Sequence, residues 1–317
     1  MLASPTERFR RQRGVALITI LLIVAILTAI VSRVSLSNQI WVRQVSNGNA
    51  LAQADQATRA ARYWVADILE QDKNNFDART EVWARPLPPI PASWGILMGR
   101  VEDMQSRFNL NNLVNTEGKV DSVAMQQFER ILRLLELEPG LAQAVIDWID
   151  PDTSVSGLGG AEDTFYIGQE IPYFTANRPF EDAAELRLVR GIDNQAWQKL
   201  EPYVAALPVQ TSINVNTASS VVLLSALTDW ELSAGSMERV QRWVEQAEKK
   251  PAEDMNYFVG ELLGGADKPV PPGLGSASSY FTAHTELNFD NVNYRMSTLY
   301  QRDQGRVTVL RQNRELR

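Results

Sequence analysis

Arg13-Gly14-Val15-Ala16-Leu17-Ile18-Thr19-Ile20-Leu21-Leu22-Ile23-Val24-Ala25-Ile26-Leu27-Thr28-Ala29-Ile30-Val31 is the stretch that organises this chain of 317 residues. The seventeen residues from Val15 to Val31 carry no charge, and Arg8, Arg10, Arg11 and Arg13 stand just before them. At about 1.5 Å per residue, a helix of that length spans roughly 25 Å, close to the hydrocarbon thickness of a bilayer. A secretory signal peptide has a shorter apolar core and a small-residue cleavage site beyond it. Here the far side reads Ser32-Arg33-Val34-Ser35. An uncleaved signal anchor remains open on these grounds. The basic flank predicts a cytoplasmic N-terminus, with the bulk of the chain outside.

No proline occurs between Pro5 and Pro86, so nothing stops the helix at the membrane surface. Ala54, Ala57, Ala61, Trp64 and Ile68 recur at spacings of three or four and predict one buried face. Asp55, Arg59, Arg62 and Asp67 lie opposite. A helix from Val15 to Glu70 would be about 80 Å long; Asn47-Gly48-Asn49 is the alternative breaking point. The other end of the chain alternates with period two. Phe281, Ala283, Thr285, Leu287 and Phe289 share one face, and Val292, Tyr294, Met296 and Tyr300 line the next strand after Asp290-Asn291. Gln304-Gly305 makes a second turn before a strand from Arg306 to Leu310. This pattern predicts an antiparallel meander. Ile96 to Met104 reads as a further strand, and the four prolines within 80–95 as an extended connector.

Helical patterns fill the middle: Val123–Leu137, Leu141–Ile149, Phe180–Val189, Asp193–Leu207, Ala218–Leu227 and Ser236–Lys249. The fold class predicted is α+β, a long N-terminal helix packed on a small antiparallel sheet with a large inserted all-α domain. The expected divisions are 1–14, a helix over 15–70, a core from 71–109 and 273–317, and the insertion 110–272. Within the insertion, Phe108-Asn109-Leu110-Asn111 is echoed by Ile213-Asn214-Val215-Asn216, and asparagine caps helix starts. The second copy, together with Leu188-Val189-Arg190-Gly191-Ile192, resembles SAM-like and helix-hairpin-helix modules.

The net charge is −7, and residues 1–14 hold +3 of it, leaving −10 for the rest. An acidic body argues against nucleic acid and favours basic partners or divalent cations. Cysteine is absent, so packing or a metal must supply any stabilisation beyond the core. The densest chemistry lies in one loop, where Asp147, Asp150, Asp152, Glu162 and Asp163 fall within seventeen residues rich in glycine. Asp150, Asp152 and Ser154 have the alternate spacing that lets a turning loop aim oxygens inward, with Glu162 and Asp163 closing it. Calcium takes six to eight hard oxygens of this kind, whereas magnesium rarely uses an all-protein cage. The loop is not an EF-hand, and the alternative is a solvated loop with Asp150 or Asp152 as a turn or cap residue. Crowding carboxylates without a cation costs Coulomb repulsion, which favours Ca2+.

The block from Arg11 to Val24 resembles a type IV prepilin leader. That resemblance implies cleavage after Gly14 by a prepilin peptidase and N-methylation of Val15. Thr19 departs from the pattern, because most pilins carry glutamate at the fifth mature position. Together with Arg107-Phe108-Asn109-Leu110-Asn111, Asp147-Trp148-Ile149-Asp150, Gly160-Ala161-Glu162-Asp163 and Glu185-Leu186-Arg187, the chain resembles the K-type minor pseudopilins of the type II secretion system. What this implies is a pilin-like core, an inserted α-domain, bound calcium and no enzymatic role. It also implies partners: minor pseudopilins I and J, H beneath them, and the inner-membrane assembly platform. A tip position would follow from Thr19, which offers no carboxylate to a subunit ahead. Two other classes stay open, a signal-anchored periplasmic enzyme and a competence-type minor pilin that binds DNA. Against the first, the one histidine, His284, falls on the polar side of its strand.

Overall fold

The computed structural model describes residues 5–92, 95–227, 235–265, 268–289 and 292–315. The chain forms two compact units, residues 1–57 and 58–317. Helix α1 runs from Pro5 to Gln71, without a break at Asn47-Gly48-Asn49. From Val15 to Leu51 its large apolar side chains lie open, Val15 at 63% and Trp41 at 64% exposure. The most apolar window there has a mean hydropathy of 3.0 and no burial against protein. Thr19 Oγ1 donates to the carbonyls of Val15 (3.2 Å) and Ala16 (2.9 Å), so the hydroxyl is satisfied by its own helix. A polar group at membrane depth needs such a partner.

In the second unit the buried stripe of α1 is Thr58, Ala61, Val65 and Leu69. Trp64, expected inside, is 46% exposed. Val65 and Leu69 pack with Trp83, Phe281, Ala283 and Tyr300, and Trp83 meets Phe281 edge-on at 5.1 Å. The receiving sheet is antiparallel. Its strands are β1 (Leu87–Ala92) and β2 (Gly95–Asp103), followed far along the chain by β7 (Tyr280–Phe289), β8 (Val292–Asp303) and β9 (Arg306–Glu315), in the order β1-β2-β7-β8-β9. The proline segment, expected as a connector, is the edge strand β1, a place where missing N–H donors are tolerated. Gln304 (φ 46°) and Gly305 (φ 76°) form the tight turn between β8 and β9. Asp290-Asn291 lies outside the described residues. One end of the sheet is covered on its other face as well. Tyr280 and Leu299 pack with Ala205 and Leu207 from the middle of the chain, on the side away from α1.

Between β2 and β7 lie β3 (Phe108–Asn109), α2 (Ser122–Leu134), α3 (Leu141–Ile149), α4 (Asp163–Ile167), α5 (Asn194–Leu200), β4 (Val204–Ala205), β5 (Ile213–Asn214), α6 (Ser220–Ala226), α7 (Ser236–Ala247), α8 (Met255–Leu263) and β6 (Leu274–Gly275). They build one large apolar core of their own around Phe108, Phe128, Trp148, Tyr166, Trp243 and Phe258. Two expected helices are shorter. In Phe180–Val189 the first three residues are not helical and the rest is a 3-10 turn over Ala183–Leu188 rather than an α-helix. Asp193–Leu207 stops at Leu200, because Pro202 removes a donor and Val204 turns extended into β4. Helix α8 is an addition to the expected set; Asp254 caps it by accepting from Tyr257 N.

The sequence echo is a structural duplication. Asn109 Oδ1 accepts from Asn111 N (3.1 Å), and Asn214 Oδ1 from Asn216 N (3.0 Å). The second asparagine of each pair then clasps one distant backbone residue through both amide atoms. Asn111 binds Phe180 (2.8 and 2.9 Å), and Asn216 binds Ala252 (2.7 and 2.9 Å). The clasped residues sit in matching segments, Pro179-Phe180-Glu181-Asp182 and Pro251-Ala252-Glu253-Asp254. Each unit also closes with a parallel strand pair, β3 with β4 and β5 with β6.

A buried polar knot joins these helices to the sheet. Asp103 Oδ2, at the end of β2, accepts from Asn214 Nδ2 (2.9 Å), Thr217 Oγ1 (2.5 Å) and Ser278 Oγ (2.7 Å). Beside it, Arg302 Nη2 donates to both oxygens of the fully buried Asp77 at 2.6 Å, and Nη1 to Asp72 at 2.7 Å. Burial pushes Asp77 up to about 7, with Arg302 pulling it back toward the ionised form.

Candidate metal centre

Helix α3 buries its entire length after Gln143 in the large core, and its C-terminal end delivers two carboxylates at fixed positions. Asp147 lies in the last turns; Asp150 is the C-cap, leaving the helix at ψ 157° just before Pro151. The loop that follows folds back over them. Ser156 N donates to both oxygens of Asp147 (3.0 and 3.1 Å), and Gly159 N to Gln143 Oε1 (2.7 Å). Gly160 is needed for this closure, since a Cβ there would stand 2.3 Å from Asp147 Oδ2. Glu162 then begins α4 as its N-cap residue, but its side chain makes no capping bond.

Asp150, Asp152 and Glu162 converge, each offering a carboxylate oxygen within 4.8 Å of the others. Asp150 and Glu162 are both 3% exposed, and Asp152 is open to solvent. Three buried oxygens, Asp150 Oδ1 and both of Glu162, receive no hydrogen bond. Buried acceptors without donors are rare because each costs desolvation with no return. Burial, then the neighbouring Asp152 and Asp147, pushes Asp150 up to about 6. Burial, then Asp147 and Asp150, pushes Glu162 up to about 7. This is a pocket of hard anionic oxygens that is charged beyond its own means, which is the donor set calcium takes.

One carboxylate anticipated from the sequence turns away from the group. Asp163 points to Thr175, accepting from its N (2.9 Å) and Oγ1 (2.6 Å), which lowers its pKa. Ser154 contributes its backbone N–H to Asp152 Oδ1 (2.7 Å), a local turn. One further residue escapes the sequence pattern. Asn177, at φ 46°, donates its N–H to Trp148 O (3.0 Å) beside the same helix end, and its buried Oδ1 has no donor. A second acidic group, Asp72, Asp77 and Glu81, makes an instructive contrast. There Arg302, Asn74, Ala78 N and Trp83 Nε1 satisfy the carboxylates, so nothing in it calls for an ion.

Residues 106–209 match the family described as type II secretion system (T2SS), protein K. A type II secretion system protein K from Pseudomonas aeruginosa is 32% identical over 95% of this chain and 92% of its own length. The chain belongs to this family. The K protein of Aeromonas hydrophila is likewise 32% identical, over 95% of this chain and 96% of its own. A solved chain from the GspK-GspI-GspJ complex of enterotoxigenic Escherichia coli superposes with a TM-score of 0.71 at 25% identity, covering 86% of this chain and 98% of that one. The chain is therefore a minor pseudopilin of type II secretion. The prominent apolar part of α1 is consistent with its membrane anchor.

Proposed function

We propose that this pseudopilin caps the tip of the secretion pseudopilus, starts its assembly with minor pseudopilins I and J above H, and so helps push folded proteins across the outer membrane. The observation that carries this reading is the helical block between β2 and β7, packed on the sheet face away from α1. A shaft of closely stacked subunits has no room for such a block, whereas an end has. The solved Escherichia coli complex, which joins a K protein with I and J, supports the choice of partners. Thr19 supports the end position, since it offers no charge to a subunit ahead. The protein acts by assembly and not by catalysis; His284 is half-buried in the sheet, 3.6 Å from Glu102. Prepilin peptidase cuts after Gly14 to leave Val15 first, the apolar helix holds the protein in the inner membrane, and the body works in the periplasm. Immunogold against the helical block should mark isolated pseudopili at one end only; label along the shaft would contradict the tip assignment.

Asp150, Asp152 and Glu162 bind one structural Ca2+ in this reading. The three unpartnered buried oxygens of Asp150 and Glu162 are its support. An ion there would fix the loop from Pro151 to Ala161 onto α3. Melting with and without a chelator tests it.

A further inference from the structure

The hairpin Leu188-Val189-Arg190-Gly191-Ile192 has the sequence look of a phosphate grip, yet it turns inward on its own chain. Gly191, at φ +80°, makes the bend where a Cβ would come within 2.6 Å of Leu141 Cδ2 at the start of α3. Arg190 Nη1 donates to Gly160 O (2.8 Å), and its guanidinium carbon lies 5.0 Å from the centre of the Phe165 ring. Arg190 N donates to Tyr166 Oη (3.1 Å), while Leu188 O accepts from Tyr173 Oη (2.9 Å). Tyr173 N in turn donates to Tyr166 O. One hairpin thus grips the glycine two residues before Glu162 and two aromatic residues of the helix that Glu162 begins.

We propose that this hairpin is a strap on the cation loop, and that Arg190 is a positioning residue that sets cation affinity by holding Glu162 in place. The proposal rests on reading the acidic cluster as a calcium site. Gly160 sits where no side chain fits, since a Cβ there would meet Asp147 Oδ2 at 2.3 Å and Ser156 N at 2.8 Å. Its carbonyl, engaged by Arg190 at 2.8 Å, anchors the loop to the hairpin. Releasing it lets Glu162 swing toward water, so the ion must then gather its ligands again at entropic cost. Contacts one shell out from metal ligands typically change affinity by about 10–100-fold. Lysine keeps the charge and a donor but loses the planar stack on Phe165.

The test is calorimetric titration of the chelator-stripped full chain in detergent with calcium chloride, comparing the parent, Arg190→Ala and Arg190→Lys. Arg190→Ala should weaken calcium binding by about 10–100-fold, with Arg190→Lys in between, while the melting temperature in chelator stays at the parent value. A merely structural contact would do the reverse, lowering that melting temperature and leaving the calcium Kd alone. Should Arg190→Ala fail to fold, Arg190→Lys carries the comparison. Parent-like Kd values in the folded variants overturn the strap. Absence of calcium binding by the parent itself overturns the calcium reading, and the strap with it.

Discussion

Removing calcium from the Asp150–Asp152–Glu162 cluster should lower the melting temperature of the full chain, and by more at pH 8 than at pH 5. The size follows from mass action. A site with two buried carboxylates and one exposed one falls in the range of about 10 μM for calcium. At roughly 1 mM calcium the ligand then stands near 100 times its Kd and stabilises the folded state by about 2.7 kcal/mol. For a domain of this size that corresponds to roughly 5–10 °C. The pH arm has a definite sign. Asp150 and Glu162 both have folded pKa values raised above their ordinary ones, to about 6 and about 7. Stability from such groups is present at low pH and is lost as pH rises through those values. The metal-free protein therefore weakens between pH 4 and 7, where protons stop substituting for the cation. The assay is differential scanning fluorimetry in calcium and in chelator across that range, with Asp152→Ala as the control that removes a ligand without touching the buried pair. Identical melting curves with and without chelator at pH 8 would refute the reasoning, as would a larger effect at pH 5.

Arg302→Met should cost about 3–5 kcal/mol, because it strands a buried carboxylate, and denaturant unfolding would show it. The deficit should grow as pH rises above 7, where Asp77 loses its proton; a deficit independent of pH would contradict the assignment. Glu102 is held down at about 2, first by the His284 hydrogen bond and then by Arg100 and Arg107. Its contribution is present above pH 4.5 and fades as pH falls toward 2, so Glu102→Gln should be less stable than the parent at pH 6 and equal to it near pH 2.

Much of the frame was legible because it is local. The helix α1 and the strands β7 to β9 are written as periodicities of 3.6 and two within single segments. The phase of α1 was harder. Alanines at 54, 57 and 61 fit two neighbouring stripes, and the bulk of Trp64 favoured the wrong one; Val65 and Leu69 face the sheet. The alternation in β7 hid Tyr280, because strands covered on both faces lose the one-sided pattern. At the acidic loop the composition marked carboxylates that the fold brings together, Asp150, Asp152 and Glu162, but could not choose between Glu162 and Asp163. That choice is made by Thr175, which takes Asp163 away. The duplicated Pro-x-Glu-Asp segments were in plain sight, but their meaning depends on clasps to Asn111 and Asn216 across 69 and 36 residues. Contacts of that range leave no local pattern.

The central claim is that the chain enters the membrane as a prepilin and leaves its first fourteen residues behind to join an assembly. Sequencing the N-terminus of the protein extracted from the inner membrane tests this most directly. The account predicts N-methylated Val15 as the first residue, and Met1 still in place in Gly14→Leu, with secretion lost. Met1 at the start of the functional, unaltered protein would contradict it.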